Sequence, residues 1–120
     1  MKHTVKLRDV IIGHSELEQA DVPAGRVWGT FRPGFGYDLV QPVFRLFTKA
    51  VPMLGGEAFD EITLEKYYAA RDKLGLSLVD ANGELIPVSA IHIADYLEEK
   101  GIIQLEVLIK DADYWERREG

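Results

Sequence analysis

Three groupings of side chains in this sequence have types and spacings that chemistry can use. The first joins histidine to carboxylate. His14 stands near Glu16 and Glu18, and His92 stands near Asp95. An imidazole beside a carboxylate serves as a general base or as part of a metal site, provided the groups converge. An i, i+3 pair in one strand points to opposite faces, so His92 and Asp95 meet only where the strand breaks. The plainer reading of each histidine is a surface or half-buried ring with a hydrogen-bond partner.

The second grouping is Arg32 followed by Pro33-Gly34-Phe35-Gly36-Tyr37-Asp38. Gly34 and Gly36 let backbone N–H groups approach a ligand, and a helix start follows. With the Arg32 guanidinium as an anion clamp and Tyr37 as a donor, this run could hold a phosphate or carboxylate, with His14 or His92 as base. The spacing matches no phosphate loop, and the plainer reading is a reverse turn that links a strand to a helix. The third grouping is aromatic. Trp28 lies beside Arg26 and Arg32, Tyr67 and Tyr68 are adjacent, and Tyr114-Trp115 sits among charges near the C-terminus. Aromatic residues with arginine are enriched in interface cores, so Trp28, Tyr114 and Trp115 are candidate interface residues. The rival reading packs each of them on its own sheet.

Recognised catalytic motifs are missing. There is no Walker loop, no dinucleotide fingerprint, no His-Glu-x-x-His pair and no nucleophile elbow. The sequence has no cysteine, hence no disulfide framework, no thiolate zinc site and no cysteine nucleophile. Its three histidines lie at distant positions, so neither a closed metal site nor a cofactor is expected.

The elements that must position these residues follow from periodicity. Residues 3–12 read as a strand in which Val5 and Leu7 alternate with Lys6 and Arg8. The apolar phase slips at Val10-Ile11-Ile12, which a bulge or a change in which face is covered would explain. Residues 13–25 read as a loop. In residues 26–32, Val27, Gly29 and Phe31 share one face and Arg26, Trp28, Thr30 and Arg32 the other. Pro33-Gly34 fits a type II turn with a positive φ at Gly34. A first helix begins near Asp38 or Gln41 and ends at Pro52 and Gly55-Gly56. A second runs from Asp60 or Thr63 to Leu74, with Leu64, Tyr67, Tyr68, Arg71 and Leu74 as its less polar stripe. Asn82-Gly83 marks a hairpin tip with Leu76, Leu78 and Leu85 directed to the core. Leu85 to Ala94 continues extended, residues 98–101 turn, and Ile103, Leu105, Val107 and Ile109 face inward from a last strand. Asp111 to Arg118 forms a terminal helix. The order β-β-α-α-β-β-β, joined by hairpins, predicts a single α+β domain over residues 1–120, with a mainly antiparallel sheet and a helix pair on one face.

Composition bounds the function. The 120 residues are 47% hydrophobic and 28% charged, the balance of a folded globular chain. Residues 1–56 carry seven basic and five acidic side chains, whereas residues 57–120 carry seven basic and fifteen acidic. An acidic half repels phosphate backbones, so nucleic acid is not the expected partner. No signal-peptide pattern and no bilayer-length apolar run occurs, which points to a cytoplasmic protein and no membrane. The reading is an acidic binding or regulatory module, rather than an enzyme, for a protein partner or a second copy of itself, such as an inhibitor, an immunity-type partner or an accessory subunit. The alternative is a small-molecule-binding protein or small enzyme with an anion pocket near Arg32–Tyr37.

Overall fold

Alternating apolar residues pull the chain into an antiparallel sheet, and a computed structural model describes residues 2–52 and 59–119. The strands are β1 (His3–Leu7), β2 (Val10–Ser15), β3 (Gln19–Asp21), β4 (Arg26–Pro33), β5 (Ser77–Val79), β6 (Leu85–Ile86), β7 (Ala90–Tyr96) and β8 (Ile102–Leu108). A 3₁₀ helix covers Phe35–Leu39, and the α-helices are α1 (Gln41–Ala50), α2 (Glu61–Leu74), α3 (Leu97–Lys100) and α4 (Ala112–Glu119). The sheet order is β6-β5-β1-β2-β4-β8-β7, with β3 pairing β4. Every pairing is antiparallel. The sheet is curled and the class is α+β.

The two clearest alternations hold. Val27, Gly29 and Phe31 are buried while Thr30 and Arg32 face out, and Ile103, Leu105, Val107 and Ile109 all point to the core. They meet Val5, Ile12, Leu78 and Ile93 in one apolar cluster. The helix α2 starts where expected. Asp60 is its N-cap, accepting from the N–H groups of Ile62 and Thr63. Tyr67 is buried from its stripe, and Leu64 and Leu74 pack partly against the core. The expected Gly55-Gly56 stop of α1 lies outside the described residues.

Four expectations change. Residues 3–12 are not one bulged strand but the hairpin of β1 and β2, turning at Arg8 with φ 55°. The turn, more than the register shift at Val5/Lys6 that does occur in this pair, accounts for the phase slip. Residues 13–25 are not all loop, because β2 runs to Ser15 and β3 adds a short exposed strand. Gly34 makes no type II turn. Its backbone is extended (φ −102°, ψ −172°), since the β2–β4 pairing continues past Pro33 and the Gly34 N–H donates to the Ile12 carbonyl at 2.8 Å. The Asn82-Gly83 tip forms, with Gly83 at φ 81°, but Leu85 is 67% exposed and Ile86 takes its place inside. The ladder pairs Leu78 with Ile86 and Val79 with Leu85, and a one-residue register difference exchanges the faces.

The helix pair settles at one end of the sheet. α1 packs on α2 and along β7, an edge strand. An edge strand leaves carbonyls unpaired. Here α1 satisfies one of them: the Thr48 hydroxyl donates to the Asp95 carbonyl at 2.6 Å, and Arg45 donates to the same oxygen at 3.0 Å. No helix of the described residues is long and apolar enough to cross a membrane.

Candidate interaction surface at the corner of β2 and β4

The Arg32–Tyr37 run forms a corner where β4 ends and the 3₁₀ helix folds back onto β2. The close approach is built on Gly36. A Cβ there would stand 2.5 Å from Val10 Cγ1 and 2.6 Å from the Ile11 carbonyl oxygen, so only glycine lets the helix sit this near the strand. Phe31 and Tyr37 lock the inner side, their rings meeting edge-on with centroids 5.5 Å apart. The Tyr37 hydroxyl reaches inward and donates to Asp95 Oδ2 at 2.7 Å. Burial first, and then this hydrogen bond, push the hydroxyl well above the usual phenol range, so it remains a proton donor.

The outer side is different. Phe35 is fully exposed, Leu39 is 63% exposed, and Val10 and Ile11 are exposed beside them at the β2 end. A large apolar side chain in water gives up the free energy its burial would yield, roughly 1.5–3 kcal/mol for a phenylalanine. Glycines on both sides of Phe35 remove the neighbours that could have covered it. The rim is polar: Arg32 pairs with Glu16 at 3.4 Å, and Asp38 is exposed.

The candidate ligand residues do not converge. His14 and Arg32 are brought side by side as cross-strand partners of β2 and β4. His14 holds the Thr4 hydroxyl through Nδ1 at 3.0 Å, and its pKa is lowered by burial first and then by Lys2 and Arg32. Tyr37 points the other way, into the core. His92 lies on β7 against α2, bonded through Nδ1 to the Tyr67 hydroxyl. Gly34 and Gly36 serve strand pairing and close packing. Arg32, Tyr37 and a histidine therefore line no common cavity, and the anion clamp with an adjacent base is not assembled here. Among the described residues no group of three His, Asp or Glu side chains is placed to hold a metal ion.

The candidate interface aromatics are separated as well. Tyr114 is buried at 5% exposure, tilted against His3 with ring centroids 5.8 Å apart. Trp115 is half-buried and donates through Nε1 to the Ile109 carbonyl at 2.8 Å. Trp28 lies under the Arg26 guanidinium, 4.1 Å from its ring centroid. No ring contact joins Trp28 to Tyr114 or Trp115 among the described residues. Phe35, the most exposed aromatic side chain among the described residues, carries no periodic signal. Its signal is local, an aromatic residue between two glycines.

Comparison with family models, with curated proteins and with solved structures returns no match to this chain.

Proposed function

We propose that this chain is a protein-binding module whose anchor is Phe35, and that the partner it binds there is a second copy of itself. The observation that carries the reading is the fully exposed Phe35 ring, with Leu39, Val10 and Ile11 beside it, on a corner held rigid by glycine packing. An exposed aromatic residue at the centre of an apolar patch with a charged rim has the anatomy of an interface hot spot. Pre-organisation lowers the ordering cost of association.

A second copy fits the charge pattern. The chain carries a net charge of −6, so most orientations of two copies repel. The uncharged centre of the corner patch is one place where like can face like about a two-fold axis, Phe35 against the partner's Leu39 or Ile11. Phe35 is the anchor, and not Trp28 or Tyr114-Trp115, which are engaged within their own chain.

Sedimentation velocity across a micromolar concentration series tests it. The wild type sediments as a concentration-dependent dimer, and Phe35→Ser sediments as a monomer with unchanged thermal stability, because the ring contributes nothing to the folded monomer. A wild type that stays monomeric through the high-micromolar range, or a dimer that Phe35→Ser leaves intact, contradicts the assignment.

A further inference from the structure

On the far end of the sheet a cleft of about 280 Å³ opens between α2 and the outer face of β4, β8 and β7, with Phe47 of α1 on its wall. Glu106 and His92 stand side by side at its floor as cross-strand partners. Glu106 is already held: the Nε and Nη2 groups of Arg26 both lie 2.8 Å from its Oε2. Arg71 is engaged differently. Its guanidinium lies 5.0 Å from the Tyr68 ring centroid and 5.7 Å from that of Tyr67, and its ionic partner is the exposed neighbour Asp72 at 3.1 Å. Asp72 takes two N–H groups and a guanidinium carries five, so donors remain for another acceptor.

His92 supplies a further donor. Its Nδ1 faces the Tyr67 hydroxyl. Burial, and after it Arg71, lowers His92 to about 4, while burial raises Tyr67. The imidazole is therefore neutral at pH 7 with Tyr67 donating to Nδ1, which leaves the ring proton on Nε2. Every buried side-chain nitrogen and oxygen among the described residues has a partner, and no hydrogen bond engages Nε2, so Nε2–H opens onto the cleft. A neutral imidazole so far below neutrality is a weak base but a good hydrogen-bond donor.

We propose that this cleft binds a small organic carboxylate with a flat apolar body, its carboxylate taken by Arg71 and the Nε2–H of His92 and its body packed on Phe47 and Tyr68. Guanidinium and carboxylate match in shape and charge. The space suffices, since a cavity of about 150 Å³ already admits benzene. A cationic ligand is disfavoured, because the charge of the acid at the floor, Glu106, is already balanced by Arg26. A bare inorganic anion leaves the aromatic wall uncovered.

Titration of the full chain with benzoate, followed by NMR at the His92 ring and the Trp28 indole, tests this. Benzylamine and inorganic phosphate are run in parallel as a cation of the same shape and an anion without a ring. Benzoate gives saturable shifts in the millimolar range or below, and the other two give none that saturate. Arg71→Met weakens benzoate roughly tenfold, the loss of one charge-assisted contact. Glu106→Gln, which frees Arg26, tightens it several-fold. The proposal is overturned if benzoate causes no saturable shift, if benzylamine or phosphate matches it, or if folded Arg71→Met binds as the wild type does. Should Arg71→Met not fold, Glu106→Gln decides, and unchanged or weaker benzoate binding overturns the assignment.

Discussion

Replacing Tyr37 by Phe separates a structural hydroxyl from a ligand-binding one. The substitution removes only the oxygen, leaving the ring in its edge contact with Phe31. The lost bond is a buried one of 2.7 Å to Asp95 Oδ2. The other carboxyl oxygen of Asp95 keeps the Leu97 N–H at 3.2 Å, but Oδ2 loses its donor at a site where water has little access. A buried hydrogen bond to a carboxylate contributes about 1.5–3 kcal/mol, so Tyr37→Phe is expected to cost about 2 kcal/mol. For a chain of this size that is a fall in Tm of roughly 8 °C. Urea unfolding at pH 7 measures the loss directly, and the slope should not change, because the surface exposed on unfolding is the same. In an Asp95→Asn background the acceptor is neutral and the same substitution should cost about 1 kcal/mol. Self-association should not respond, because the hydroxyl points away from the corner patch. A loss below about 0.5 kcal/mol would show that the hydroxyl bonds water and not Asp95. Loss of the dimer with stability intact would return Tyr37 to the binding surface.

Two further outcomes follow from the same geometry. Gly36→Ala places a Cβ 2.6 Å from the immobile Ile11 carbonyl, so the 3₁₀ helix must lift off β2, which should cost about 1–3 kcal/mol in urea unfolding and weaken the dimer together with stability. His92, with a folded pKa of about 4 against an ordinary 6.5, takes up its proton in the unfolded chain first, so stability is full above pH 6.5 and falls as pH drops toward 4. Because the ring borders an open cleft, the share lost is about 2 kcal/mol and not the full converted shift, and His92→Asn should flatten the pH dependence by that amount.

Legibility from sequence ran along local physics and stopped at long-range pairing. The strands around Val27–Phe31 and Ile103–Ile109 were readable because strict alternation leaves one solution for which face is buried. The start of α2 was readable because Asp60 caps its own helix with contacts two and three residues away. The β1–β2 hairpin was hidden because Arg8 adopts a positive φ that glycine or asparagine would have advertised. β3 was hidden because Gln19, Ala20 and Asp21 are all exposed and carry no pattern. Gly34 misled because Pro-Gly signals a turn, whereas the ladder between β2 and β4 overrides the local preference. Leu85 misled for the same reason, since its face depends on pairing Val79 with Leu85, which no local rule sets. At the sites, Tyr37, read from the sequence as a ligand donor, points inward to Asp95, and Phe35 points outward. The cleft was out of reach, because Arg26, Arg71, His92 and Glu106 come from four elements whose juxtaposition depends on where the helix pair docks.

That docking explains why the cleft and the corner patch are both left open. Helices laid across the outer face of the sheet would have covered Trp28, Glu106 and His92 with apolar side chains. Placed instead along the β7 edge, α1 spends Thr48 and Arg45 on the unpaired carbonyl of Asp95, and α2 meets the outer face through Tyr67, Tyr68 and Arg71. The sheet residues left outside must then satisfy themselves, and they do so by pairing Arg26 with Glu106 and Arg32 with Glu16. Part of the acidic excess is thus spent on the sheet's arginines, and Arg71, whose acid is an exposed chain neighbour, keeps donors for an outside acceptor. The corner where Gly36 pins the 3₁₀ helix groups the exposed Phe35 with Val10, Ile11 and Leu39. β4 carries both ends of this arrangement, with Arg26 at the cleft and Phe31 to Pro33 at the corner. Ladders to β2, β3 and β8 hold it in one conformation, so it presents the two surfaces without requiring a change in either.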